Sequence, residues 1–159
     1  MTTATIDPHP AIGRTPRSAS LRITTVARVL MGLVFAVFGL NGFLHFIRQP
    51  APPQPAMEFF GALVVTGYML PLVMGTQLLV GALLLSNRFV PLALALIAPI
   101  IVNIMAFHLA LAPSGLPLAF VVLVLELLLA WSYREAFRPM LAQRVAPPSG
   151  ITKRAAAAR

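Results

Sequence analysis

Residues 89–125 read FVPLALALIAPIIVNIMAFHLALAPSGLPLAFVVLVL and contain no Asp, Glu, Lys or Arg. A helix that crosses a membrane uses about 20 apolar residues, each adding about 1.5 Å across a hydrocarbon core of about 30 Å. The stretch is too long for one crossing and too apolar for water. It divides at Ala112-Pro113-Ser114-Gly115-Leu116-Pro117, whose prolines and glycine favour a turn. Two spans joined by a tight turn follow from this segment alone.

Working outward, residues 29–47 are also uncharged and fit one span. Residues 59–87 lack charge too, but a Gly67-Tyr68 break precedes Pro71, and proline suits the first turn of a helix. That pattern predicts a short interfacial helix near 56–66 and then a span. One long tilted helix kinked at Pro71 is the competing arrangement. The expected fold is all-α: a four-helix transmembrane bundle over residues 23–140, with spans near 24–47, 70–86, 90–111 and 117–136. Composition agrees, since 58% of the 159 residues are hydrophobic and 10% charged, with mean hydropathy +0.87. Soluble domains are about half apolar and a quarter charged.

Short cytoplasmic flanks carry an excess of Lys and Arg. Arg14, Arg17, Arg22 and Arg28 precede the first span, Arg88 lies in the second loop, and Arg134, Arg138, Arg144, Lys153, Arg154 and Arg159 follow the fourth. Arg48 alone lies on the other side, which predicts both termini in the cytoplasm. The formal charge of +8 resides in these flanks, where topology accounts for it, so no nucleic-acid partner is expected. Anionic lipid headgroups are its natural counterpart.

The absence of cysteine removes disulfides, iron–sulfur clusters and thiolate zinc sites, so electron chemistry would need a bound cofactor. The first apolar run exceeds a signal-peptide core, and Arg48-Gln49-Pro50-Ala51 lacks a small-x-small cleavage pattern; the run is expected to remain as an anchor. Residues 1–22 and 141–159, rich in Pro, Ser, Ala and Arg, are expected to be disordered. The four prolines within 49–55 predict an extended loop, Pro99 a kink in the third span, and Trp131 with Tyr133 an interfacial belt. Gly32 with Ala36, and Ala106 with Ala110, are small residues four apart that allow close helix approach.

Six polar residues inside the spans are the candidates for a site: Asn41, His45, Gln77, Asn103, His108 and Glu126. Counted from the helix ends, Asn41, Gln77, Asn103 and Glu126 share a layer about 9–14 Å below the outer surface. Interhelical hydrogen bonding, at roughly 0.6 kcal/mol per contact, is a sufficient role for the amides. Glu126 stands apart, because a carboxylate in hydrocarbon is costly and ionisable residues there usually mark function. It is expected to face the interior beside Ala119, Ala130 and Tyr133, protonated or paired with a histidine or amide. His45 and His108 carry no further ligation signature, so neither haem nor a metal site is expected. H-E-x-x-H, P-loop, Rossmann and nucleophile-elbow patterns are all missing, which excludes a self-contained enzyme of soluble type.

RVLMGLVFAVFGLNGF in the first span, the short helix and Gly-Tyr break before the second, and VGALLLSNRFVPLALALIAPI across the second loop together resemble the DoxX family of small bacterial membrane proteins. VNIMAFHLALAPSGLP and ELLLAWSYREAFRP are similar to a DoxX-like subgroup. The resemblance covers residues 28–140 and implies a four-helix membrane bundle associated with quinone-linked respiratory or sulfur-oxidising complexes. Family members often carry Glu in the second helix where this chain has Gln77, so an acid–base role is not carried over to that position. Three functions remain open at this point. They are an accessory subunit of a membrane redox system with a quinone in the polar layer, a small-molecule or proton carrier using Glu126 and the histidines, and an assembly factor without chemistry.

Overall fold

The computed structural model describes residues 16–48 and 50–144, with side chains from residue 19 onward. Among the described residues the fold is all-helical: α1 Pro16–Leu44, α2 Gln54–Val65, α3 Met69–Leu85, α4 Val90–Ala110, α5 Leu116–Ser132 and α6 Arg134–Phe137. Two 3-10 turns, Pro113–Gly115 and Arg138–Leu141, complete it. Three segments, Ala19–Leu44, Val90–Ala110 and Pro113–Ser132, are long and apolar enough to cross a membrane. The α2–α3 pair turns through 95° at its break, and counted as one broken span it makes four.

The long helices touch in the cyclic order α1, α3, α4, α5 and back to α1. Each buries one stripe at helical spacing: Ala27, Met31 and Phe35 on α1, Val80 and Leu84 on α3, Ala93, Ile97 and Ile101 on α4, and Ala119, Val122 and Leu129 on α5. The outward faces are apolar as well, with Leu30, Leu33, Leu79, Leu92, Val102, Phe120 and Leu127 all exposed. A helix apolar on every side has no stable place in water but matches lipid, so the fold is that of a multi-pass membrane protein. In lipid, shape rather than polarity selects the inner face. The α1–α3 contact illustrates this, because a Cβ at Gly81 would lie 2.5 Å from the Ala36 nitrogen and one at Gly39 would lie 2.6 Å from the Leu78 nitrogen.

Several boundaries differ from those expected. Residues 16–22, assigned to a disordered tail, form the first turns of α1; proline at a helix start is pre-set for helical φ, and an existing helix extends at one hydrogen bond per residue. In the other tail Leu141 closes the second 3-10 turn and 142–144 are irregular, while 1–15 and 145–159 lie outside the described residues. The first helix ends at Leu44 rather than near 47, because His45 takes a left-handed φ of 51° and its N–H closes onto the Asn41 carbonyl at 2.8 Å. The fourth ends at Ser132 rather than 136, where polar Arg134 and Glu135 begin the separate α6. The short helix starts at Gln54, and its break falls at 66–68, ahead of Pro71, which sits in the first turn of α3. Pro53 before it holds a polyproline-like φ of −53° and ψ of 151°. α4 continues through Pro99.

The α3–α4 connection is tight because α3 ends in a Schellman motif: Arg88 N–H donates to the Leu83 carbonyl at 3.0 Å and Asn87 N–H to Leu84 at 3.2 Å. Asn87 occupies the left-handed position at φ 55°, which asparagine tolerates. This hairpin sets α3 antiparallel to α4 and fixes the level at which their polar residues lie.

Candidate functional site

Of the six polar residues, Glu126 and Gln77 are drawn into the interior, each 7% exposed. Glu126 follows from the α5 stripe, lying seven residues after Ala119 and three before Leu129, both buried. Gln77 lies three residues before Val80 on the buried face of α3. Counted from the helix starts at Met69 and Leu116, Gln77 is about 12 Å deep and Glu126 about 15 Å, so the two lie at similar depth. The Oε2 atom of Glu126 is buried and has no hydrogen-bond partner among the described residues. A buried, unsatisfied carboxyl oxygen costs about 1–3 kcal/mol or more, which makes it the least explicable polar atom of the fold by packing alone.

The other four residues are arranged differently, and no single polar site gathers all six. Asn41 accepts a hydrogen bond from the Ile47 N–H at 2.6 Å, so its amide closes the end of α1. His45 is exposed at the left-handed corner that follows. His108 places Nδ1 2.9 Å from the Ala112 carbonyl and its ring edge-on to Phe107, and thereby fastens the turn after α4. These are local terminus roles, and the expected pairing of Glu126 with a histidine is not formed. Asn103 is exposed on the outer side of α4, in a notch of about 200 Å³ lined by Phe59, Ala106, Phe107 and Leu111. Ala106 and Ala110 are exposed too, whereas Gly32 is buried in the α1–α3 contact.

Arg28 is the residue that sequence reasoning misplaced. Counted as a membrane flank, it is only 8% exposed, and its guanidinium donates to the Leu84 carbonyl near the end of α3. Cations suit helix C-termini, where unpaired carbonyls and the negative end of the macrodipole lie. The available signal was its spacing: Arg28 precedes Met31 by three and Phe35 by seven, which sets it on the buried stripe of α1. Among the described residues the ion pairs are Arg134–Glu135 at 3.7 Å and Arg138–Glu135 at 2.9 Å, both exposed and beyond α5. Arg134 also lies over the Trp131 ring at 5.1 Å, as suits an interfacial aromatic.

No protein-family model, curated protein or solved structure matches this chain.

Proposed function

We propose that the chain is a four-span membrane protein with both termini in the cytoplasm, acting as an accessory subunit of a quinone-linked redox system, and that Glu126 is the group through which its interior handles a proton. The observation that carries this reading is the buried Glu126 Oε2 without a partner. A carboxyl held in a helical interior with its hydrogen-bonding capacity unmet suits exchange of a proton or a hydrogen bond with a mobile partner. The redox assignment rests on the DoxX resemblance of the quoted residues, and the orientation on the bias of basic residues to one side. The bacterial inner membrane and respiratory protein partners belong to the same proposal. A proton relay running from Glu126 through His45 and His108 has less support, because one histidine is exposed at a helix end and the other is engaged with Ala112.

The test compares quinol-dependent oxygen uptake of membranes lacking the chain with membranes complemented by the wild type or by Glu126→Gln. The glutamine keeps shape and hydrogen bonding but cannot exchange a proton. Restoration by the wild type and not by Glu126→Gln, at equal membrane levels, is the expected result. Equal restoration by both removes the role of Glu126, and unchanged uptake on deletion removes the redox reading.

A further inference from the structure

The α4 helix presents its two sides to different surroundings. Ile97 and Ile101 are buried, and Asn103, two positions later and about 200° round the helix, faces outward and is exposed. It lies seven residues before Ala110, about 10 Å from that end of a helix long and apolar enough to cross a bilayer. An amide at that depth meets hydrocarbon instead of water and is costly unless something hydrogen-bonds to it. Its immediate setting is built from another element. The 95° turn between α2 and α3 brings α2 across α4, where Phe59 and Phe60 pack on Phe107 at centroid distances of 5.5 and 5.1 Å. Between them lies the notch of about 200 Å³, and the small Ala106 leaves it open.

We infer that this notch between α2 and α4 is a lateral binding site for a neutral, bilayer-dissolved ring molecule that offers a carbonyl or hydroxyl to the Asn103 amide. The volume suits one or two fused rings, since a dry cavity of about 150 Å³ accepts benzene. The walls contributed by Phe59 and Phe107 favour a flat face. No charged side chain lines the notch, so an ionic ligand would be unpaired there. An amide both donates and accepts, which fits a carbonyl or hydroxyl equally. A second copy of the chain fits worse: a helix is about 10 Å across, too wide for a notch of about 200 Å³ that Phe59 also lines. The inference rests on the membrane-spanning part of the proposed function and not on its redox part.

The full chain in nanodiscs, carrying Trp131→Phe and Phe59→Trp, places its only tryptophan in the notch. Titration with 2-methyl-1,4-naphthoquinone is expected to give saturable quenching, and 2-methylnaphthalene, which lacks the oxygens, at least about tenfold weaker binding. Asn103→Leu should weaken quinone binding by a similar factor, Asn103→Gln should retain it, and Ala106→Leu should abolish it by filling the space. Asn103 and Ala106 are both exposed, so these changes leave the buried stripe of α4 untouched. Glu126→Gln should bind normally; if it also restores oxygen uptake as the wild type does, or if deletion leaves uptake unchanged, only the earlier reading is refuted. Linear quenching equal to that of Trp131 in the native chain, indifference to the three notch changes, or cross-linking of two copies through position 103 overturns the inference.

Discussion

Replacing Gly81 by alanine tests whether shape, and not polarity, holds α1 against α3. The added Cβ would lie 2.5 Å from the Ala36 nitrogen and 2.7 Å from its Cα, whereas ordinary contact begins at 3.4 Å. The deficit of about 0.9 Å is against backbone, so no side-chain rotation relieves it and the helices must separate. Overpacking of this kind costs typically about 1–3 kcal/mol, or about 5- to 150-fold in the folding equilibrium. Helix propensity opposes the loss by at most about 1 kcal/mol. Gly75 supplies the control on the same helix, because a Cβ there meets nothing within 4 Å and the change should be neutral or stabilising by up to about 1 kcal/mol. Reversible unfolding in mixed micelles of graded dodecyl sulfate content measures both variants against the wild type. A Gly81→Ala protein as stable as Gly75→Ala would show that the two helices do not pack at this register.

Glu126→Met, of similar volume and without a buried unsatisfied oxygen, is expected to raise stability by about 1–3 kcal/mol in the same assay while removing function; a loss of stability would mean that the carboxyl is structural glue. Arg28→Met should cost about 1.5–3 kcal/mol through the charged hydrogen bond to Leu84, and amide exchange at Ser86–Arg88 should accelerate if that bond secures the end of α3. His108→Ala should cost about 1 kcal/mol by freeing the Ala112 carbonyl and should leave the absorption spectrum untouched; a Soret band in the wild type that vanishes with His108→Ala or His45→Ala would overturn the expectation that no haem is bound. A periplasmic phosphatase fused after Arg144 should be inactive, and an active fusion would reverse the proposed orientation.

The membrane character of the chain is legible because it depends on quantities that sequence carries directly: runs without charge, and turn residues between them. The 112–117 segment is one such case, and the α2–α3 break at Gly67 is another, since Gly67 takes a φ of 72° that other residues adopt only at a cost. Burial is harder to read. With both faces of a span apolar, hydrophobic periodicity loses its power to tell inside from outside. Asn103 and Gln77 look alike in sequence, each an amide within a run of Leu, Val and Ile, yet one faces outward and the other inward. Their separation depends on where α2 crosses and on which helices carry glycine at the contact, and both are tertiary facts. The end of α1 was displaced for a local reason, because His45 terminates the helix by its left-handed backbone while the apolar run continues through Phe46 and Ile47.

Arg28 and Glu126 together sharpen the reading of the interior. The Thr24–Ser132 hydroxyl contact at 3.2 Å sets the register of α1 against α5. From that level Arg28 is four residues along α1, about 6 Å, and Glu126 is six residues back along α5, about 9 Å, so a buried cation and a buried carboxyl stand at nearly the same height on touching helices. A carboxyl so placed would ordinarily be expected to recruit the guanidinium, since a buried charge left without a partner is strongly destabilising. Instead the guanidinium is committed to Leu84, where the carbonyls that end α3 and the helix macrodipole already supply partial negative charge. The charge of Arg28 is thus answered by backbone, and no ion pair reaches Glu126 among the described residues. Its Oε2 is an acceptor that no side chain among the described residues consumes, and for that reason Glu126, and not His45 or His108, is the residue on which a functional assay of this protein should begin.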